Sequence, residues 1–253
     1  MTRTIALFNQ AGGVAKSTLT MNLGYSLAQK QHRVLLIDLD PQASLTKFMG
    51  LMPLELKRTI QDALTVVPPD PPPIHRGIHG MDLVPANRKL SAVEMQLVNA
   101  PMRDFLLREV IDHIQSSYDF ILIDCPPSLG LLSYLALVAA HYVLVPIETH
   151  LKAFEGTDEL LQTIVQVQRR ANRDLKIAGF FPTRYDSRNS ADVRTLAAIQ
   201  AQLHTWGAIF PPVPRATAFV DATEERMPLA KLSAKHPAVA ILEQVAQKLE
   251  TLP

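Results

Sequence analysis

The chain has 253 residues, 47% of them hydrophobic, and a formal net charge of +1. A chain of this size can bury a core that needs no disulfide or structural metal, and so balanced a charge excludes a protein that coats nucleic acid over its whole surface, leaving room only for a local patch. The single cysteine, Cys125, cannot form an internal bridge and fits a reducing cytosol. The first apolar run, Ile5–Phe8, is too short for a secretory leader, and no stretch approaches the roughly 18 apolar residues of a membrane span.

In chain order, Thr4–Phe8, Arg33–Asp38, Met81–Val84, Phe120–Asp124, Tyr142–Ile147 and Lys176–Phe181 read as strands. Several are apolar almost throughout, as parallel strands buried on both faces are. Between them lie helix-length segments, Thr18–Gln31, Met102–Ser116, Leu129–Ala140 and Thr157–Ala171. The alternation predicts an α/β fold: a doubly wound, mostly parallel sheet with helices on both faces, formed by residues 1–253 as one domain. Val66–Gly77, with five prolines between 68 and 73, reads as a stiff surface loop, because proline cannot join a ladder. A second proline cluster, Pro211–Pro214, ends a strand-like run.

The first strand runs into Asn9–Thr18, NQAGGVAKST, and then into a helix. Gly12 and Gly13 let the backbone approach a phosphate, and the amides of Gly12, Gly13, Val14, Ala15, Lys16, Ser17 and Thr18 can point inward at the helix N-terminus. Lys16 can reach β- and γ-phosphates, and the Ser17 hydroxyl can meet Mg²⁺. The ordinary phosphate-loop pattern GxxxxGK[ST] fails, since Gln10 and Ala15 occupy its glycine positions. Context supplies what the loop alone does not. LLIDLDPQ places Asp38 and Asp40 at the end of the second strand, and FILIDCPPSLG places Asp124 at the end of a later one. Ligands of such sheets bind outside the carboxyl ends of the strands, so the three elements converge.

These segments, with VPANRKLSAVEMQL, VLVPIETHLKAFEG and GFFPTRYDSR in the expected order, resemble the ParA/MinD family of deviant Walker ATPases over nearly the whole chain. The resemblance implies a P-loop fold, ATP or ADP with Mg²⁺, and slow hydrolysis. Lys16 and Thr18 would hold phosphates, Ser17, Asp38 and Asp124 would hold Mg²⁺ or its waters, and Asp40 would position the attacking water. Pro214 resembles the family's proline–arginine turn near adenine. The family also implies an ATP-dependent homodimer, non-specific binding of duplex DNA, an adaptor protein on the cargo that stimulates hydrolysis, and a cytoplasmic, nucleoid-associated location. For DNA the candidate residues are Arg169, Arg170, Arg173, Arg184, Arg188 and Arg194, in a stretch with a local excess of four positive charges.

One departure carries weight. The family pattern is KGGxxK[ST], whose first lysine reaches the partner's phosphates, and here that position is Ala11. A buried triphosphate lacking that charge needs another cation. Lys152 is a candidate catalytic cation, with a solvated lysine at a helix start as the equal alternative. Loss of the lysine resembles the carboxysome-distributing McdA branch, so the leading expectation is an ATPase that positions carboxysomes; the general likeness makes plasmid or chromosome partitioning the alternative. A further alternative is a nucleotide-switched DNA-binding module with little turnover. The final segment, AVAILEQVAQKLETLP, lacks the cationic face of a membrane-surface helix, so its apolar stripe is expected to pack on the body and no membrane partner is expected. The eight histidines show no zinc spacing.

Overall fold

A computed structural model describes residues 2–66, 70–150 and 156–253. Seven strands among these form one sheet in the order β3-β4-β2-β5-β1-β6-β7. They are β1 (Arg3–Leu7), β2 (Val34–Asp38), β3 (His75–Ile78), β4 (Met81–Val84), β5 (Phe120–Asp124), β6 (Tyr142–Glu148) and β7 (Lys176–Thr183). All neighbours pair in parallel except β3, which runs antiparallel to β4. Every residue of β2 and β5 is buried, as their apolar runs dictate.

The two sheet faces are read from alternate residues. Ile5, Leu7 and Leu36 point into one core with helices α1 (Lys16–Gln29) and, at the far end of the chain, α11 (Pro237–Glu250). Ala6, Phe8, Leu35 and Ile37 point into the other, which is covered by α3 (Ile60–Thr65), α5 (Leu106–Asp112), α6 (Leu131–Ala139) and α7 (Thr157–Arg170). The remaining helices are α2 (Ser44–Phe48), α4 (Val93–Gln96), α8 (Ser190–Leu203), α9 (Ala218–Glu224) and α10 (Leu229–Leu232). Val239, Leu242, Val245 and Leu249 of α11 are buried in the core that α1 shares, so the apolar stripe of the final segment packs on the body as expected. No described helix is long and apolar enough to cross a membrane.

The approach of α1 to the sheet fixes the height of the phosphate loop that precedes it. A Cβ on Gly24 would lie 2.7 Å from Leu36 Cδ2 and 2.9 Å from Met81 Sδ, closer than side chains pack. Glycine here lets α1 lie low over β2 and β4.

One expectation needs correction. The segment 66–77 is not a loop throughout: His75–Gly77 belong to β3, which turns back at His79 and Gly80, both in the left-handed region, to pair with β4. The prolines end at Pro73, so they leave the amides of the next residues free to enter a ladder. Residues 67–69 lie outside the described residues.

Candidate nucleotide site

The site forms where β1, β2 and β5 end together. Leu7 is level with Asp124, and Asp124 is level with Asp38, so the register places both carboxylates beside the loop that leaves β1. That loop is stitched in place by side chains. Asn9 Oδ1 accepts from the Ala11 amide at 2.8 Å, while Asn9 Nδ2 donates to the Pro146 carbonyl of β6 at 2.7 Å. Gln10 Nε2 donates to the Gly156 carbonyl, and Thr183 Oγ1, at the tip of β7, donates to the Val14 carbonyl at 3.3 Å. Gly13 has φ +77°, which explains its glycine, and Ala15 adopts φ 71° where the ordinary motif has the glycine. An alanine held there stores backbone strain at the point where the helix begins.

Lys16 is buried and its Nζ donates to the carbonyls of Asn9 and Ala11, both at 2.8 Å. Burial lowers its pKa, and the nearby Asp124 partly offsets this. The two strand-end aspartates differ. Asp38 Oδ2 accepts from the Thr46 amide at 2.8 Å and its hydroxyl at 2.6 Å, and Oδ1 accepts from the Asp40 amide at 3.1 Å. Burial still pushes Asp38 up to about 6. Asp124 is fully buried, and neither of its oxygens has a hydrogen-bond partner among the described residues. Burial first, and Asp38 second, raise it well above the usual carboxylate range; the Ser17 hydroxyl lies near enough to counter this without closing a hydrogen bond.

A buried carboxylate without a donor is destabilising unless something neutralises it. This is the observation that fits a divalent cation. Among the described residues no three His, Cys, Asp or Glu side chains form a closed metal cage. Mg²⁺ needs none, because it takes one or two carboxylates and fills its other positions with phosphate oxygens and water. Asp124 and Ser17 fit as direct holders, and Asp38, with both oxygens already engaged, fits as a holder of waters. Asp40 lines the cleft above them, its Oδ1 fixed by the Gln42 amide at 2.8 Å and its pKa raised by burial.

A cleft of about 570 Å³ opens over this floor, within the usual range for small-ligand sites. Gly12, Gly13, Ala15, Lys16, Ser17, Thr18 and Asp40 line one side and Pro214 the other. Val14, in the same loop, is buried and does not line the cleft. The sequence reading missed Arg184, Arg215 and Phe219, which also line the cleft. Arg215 follows Pro214 in the turn, a signal that was present; Phe219 gave none. Cys125 is a buried thiol whose pKa burial raises, as its place in an apolar strand end suggests. Lys152 lies outside the described residues.

The arginine patch divides. Arg169 and Arg170 end α7 and Arg173 precedes β7, whereas Arg184, Arg188 and Arg194 follow it. The eight residues of β7 separate the two groups by roughly 23 Å, at about 3.3 Å per residue. The two groups therefore flank opposite ends of β7. Arg188 pairs with Asp186 at 3.0 Å, and Arg184 belongs to the cleft.

The model of an AAA domain family matches residues 2–177. The chromosome partitioning protein ParA of Caulobacter vibrioides is 37% identical over 202 residues, which is 79% of this chain and 76% of that protein. The chain belongs to the ParA/MinD family. Among solved structures, a cobyrinic acid a,c-diamide synthase from Mycobacterium smegmatis with bound ADP and magnesium is 33% identical, with a TM-score of 0.86 over 99% of this chain and 94% of that one. Apo McdA of Cyanothece shares the ParA/MinD-family fold, with a TM-score of 0.88 over 98% of this chain and 100% of that one, at 24% identity.

Proposed function

We propose that this ParA/MinD-family chain is an ATP-driven switch that works in partitioning or positioning, closing into a dimer with ATP and reopening after slow hydrolysis. The observation that carries the reading is the unpartnered Asp124 carboxylate under a phosphate loop. Mg²⁺ arriving with ATP or ADP would supply the positive charge that this carboxylate floor lacks, and the neighbour with ADP and magnesium supports the assignment. When bound, Mg²⁺ neutralises phosphate charge. Lys16 would exchange its two loop carbonyls for phosphate oxygens, the loop amides would orient them, and Asp40 would hold the attacking water.

The cargo we favour is a chromosome or plasmid, because the relative with 37% identity is a chromosome partitioning protein. Ala11 favours a second cargo, the carboxysome; the McdA likeness, at 24% identity, adds only the fold. Duplex DNA is proposed as the track, held by one of the two arginine groups rather than both, and an adaptor on the cargo as the trigger of hydrolysis. Phosphate release with Mg²⁺, with and without duplex DNA, tests the enzyme. Lys16→Ala and Asp40→Ala are each expected to lower turnover at least about 100-fold, with Lys16→Ala alone losing nucleotide binding. Turnover unchanged in both would end the reading. Deleting the gene and scoring origin or plasmid loss against carboxysome clustering separates the cargoes.

A further inference from the structure

Ala11 leaves the phosphate cradle without a charge at the loop's outer edge, yet the cleft is not short of cations. Lys16, Arg184 and Arg215 line it among the described residues. Arg184 stands next to the glycines of the loop: a Cβ built on Gly13 would lie 3.9 Å from Arg184 Nη1. Its position is held by the residues on both sides. Thr183 donates its hydroxyl to the Val14 carbonyl at 3.3 Å, and the Tyr185 amide donates to the Val213 carbonyl at 3.0 Å. Between these anchors Arg184 has φ 55°, a left-handed backbone that a non-glycine residue adopts only when its surroundings impose it. The Arg215 amide in turn donates to the Tyr185 carbonyl at 3.0 Å, so the two arginines flank one short bridge.

Both guanidinium groups lean on one carboxylate. Glu148, at the end of β6, lies 3.5 Å from Arg184 Nη1 and 3.9 Å from Arg215 Nη2. Neither contact is a tight two-pronged pair, and both arginine side chains are more than half exposed. Such exposed pairs hold little free energy, whereas a guanidinium meets a phosphate with two parallel charge-assisted hydrogen bonds. Glu148 is thus a placeholder acid of the kind a nucleotide's phosphates displace.

We propose that Arg184 is a phosphate-binding residue of the nucleotide site, supplying within one subunit the positive charge absent at Ala11, and that Glu148 holds it ready in the nucleotide-free state. This rests on the ATP reading above. It also places the compensating cation within the same chain and among the residues that shape the loop, independently of Lys152.

The test is equilibrium binding of MgATP to the full chain, followed by displacement of a fluorescent ATP analogue at low and at moderate salt. Arg184→Ala is expected to weaken MgATP binding about tenfold and to flatten its salt dependence, with Arg184→Lys recovering part of the loss. Glu148→Gln, which releases both guanidinium groups, is expected to tighten binding several-fold. Circular dichroism melts of each variant establish that the fold is retained; should Arg184→Ala melt early, the Lys and Gln variants carry the test. If Arg184→Ala and Glu148→Gln both bind within twofold of the parent while Lys16→Ala loses binding, the role of Arg184 is overturned and the ATP reading stands. If the parent itself binds no MgATP, both fall together.

Discussion

The two ends of β5 carry aspartates in opposite circumstances. Asp119, just before the strand, accepts from the Arg33 amide at 2.9 Å and from its guanidinium at 2.8 Å, and these bonds hold its carboxyl down at about 2. Asp124, five residues on, has no hydrogen-bond donor among the described residues and is driven the other way by burial. The first carboxylate is complete within the chain and serves stability. The second is incomplete and costs stability until a ligand arrives. A strand can thus devote one end to holding the fold and the other to chemistry, which is the usual division in parallel sheets.

Exchanging the roles should break this contrast most visibly. Asp124→Asn is expected to lower ATP turnover about 100-fold, and to stabilise the ligand-free protein by on the order of 1–3 kcal/mol at pH values where Asp124 would ionise, since the amide cannot take up the charge that burial disfavours. Asp119→Asn is expected to leave turnover near the parent value and to lower the midpoint of urea unfolding. Phosphate release and urea melts on both variants check the pair; a loss of stability in Asp124→Asn would mean that its carboxylate is already satisfied without a ligand.

A smaller effect is expected from pH. Asp38 has a folded value of about 6 against an unfolded value of about 4. The fold favours its protonated form, so the stability it contributes is present at the acid end and is lost as pH rises from about 4 to about 6. Asp119 has the opposite sign: its contribution is present above about 4 and is lost as pH falls through about 2. Ligand-free urea melts across this range should therefore show a decline toward neutrality that saturating Mg²⁺ with nucleotide removes, because bound cation favours the ionised carboxylates. A decline that persists with ligand bound would separate Asp38 from the site. The smallest expected change is Ala15→Gly, which relieves the left-handed alanine and should stabilise the protein by about 1 kcal/mol, read from the same melts.

Much of this was legible in the sequence for physical reasons that differ by region. The central strands announce themselves because both faces are buried, which leaves uninterrupted apolar runs such as FILID. β3 does not, because HRGI lies half-exposed at the sheet edge and carries no alternation. α8 has the polar Asp192 and Thr195 among its buried residues, and α9 buries only Ala222, so neither carries an apolar pattern that delimits it. Within the site, the loop and its aspartates were legible because each sits in a contiguous motif. Arg184 was counted with arginines that β7 carries to the opposite end of the sheet, since charge along a sequence says nothing about which end of a strand it occupies. The pairing of Arg184 and Arg215 on Glu148 was invisible for the same reason: three separate segments supply it.

The stitching of the loop has a consequence for regulation. Asn9 to Pro146, Gln10 to Gly156 and Thr183 to Val14 make the tips of β6 and β7 mechanical neighbours of the cradle. Whatever docks on those tips and prefers one loop shape must shift nucleotide affinity, and the nucleotide must shift its affinity by the same factor. An adaptor would then need no direct reach to the phosphates: grasping the two strand tips would be enough to set how long the nucleotide stays.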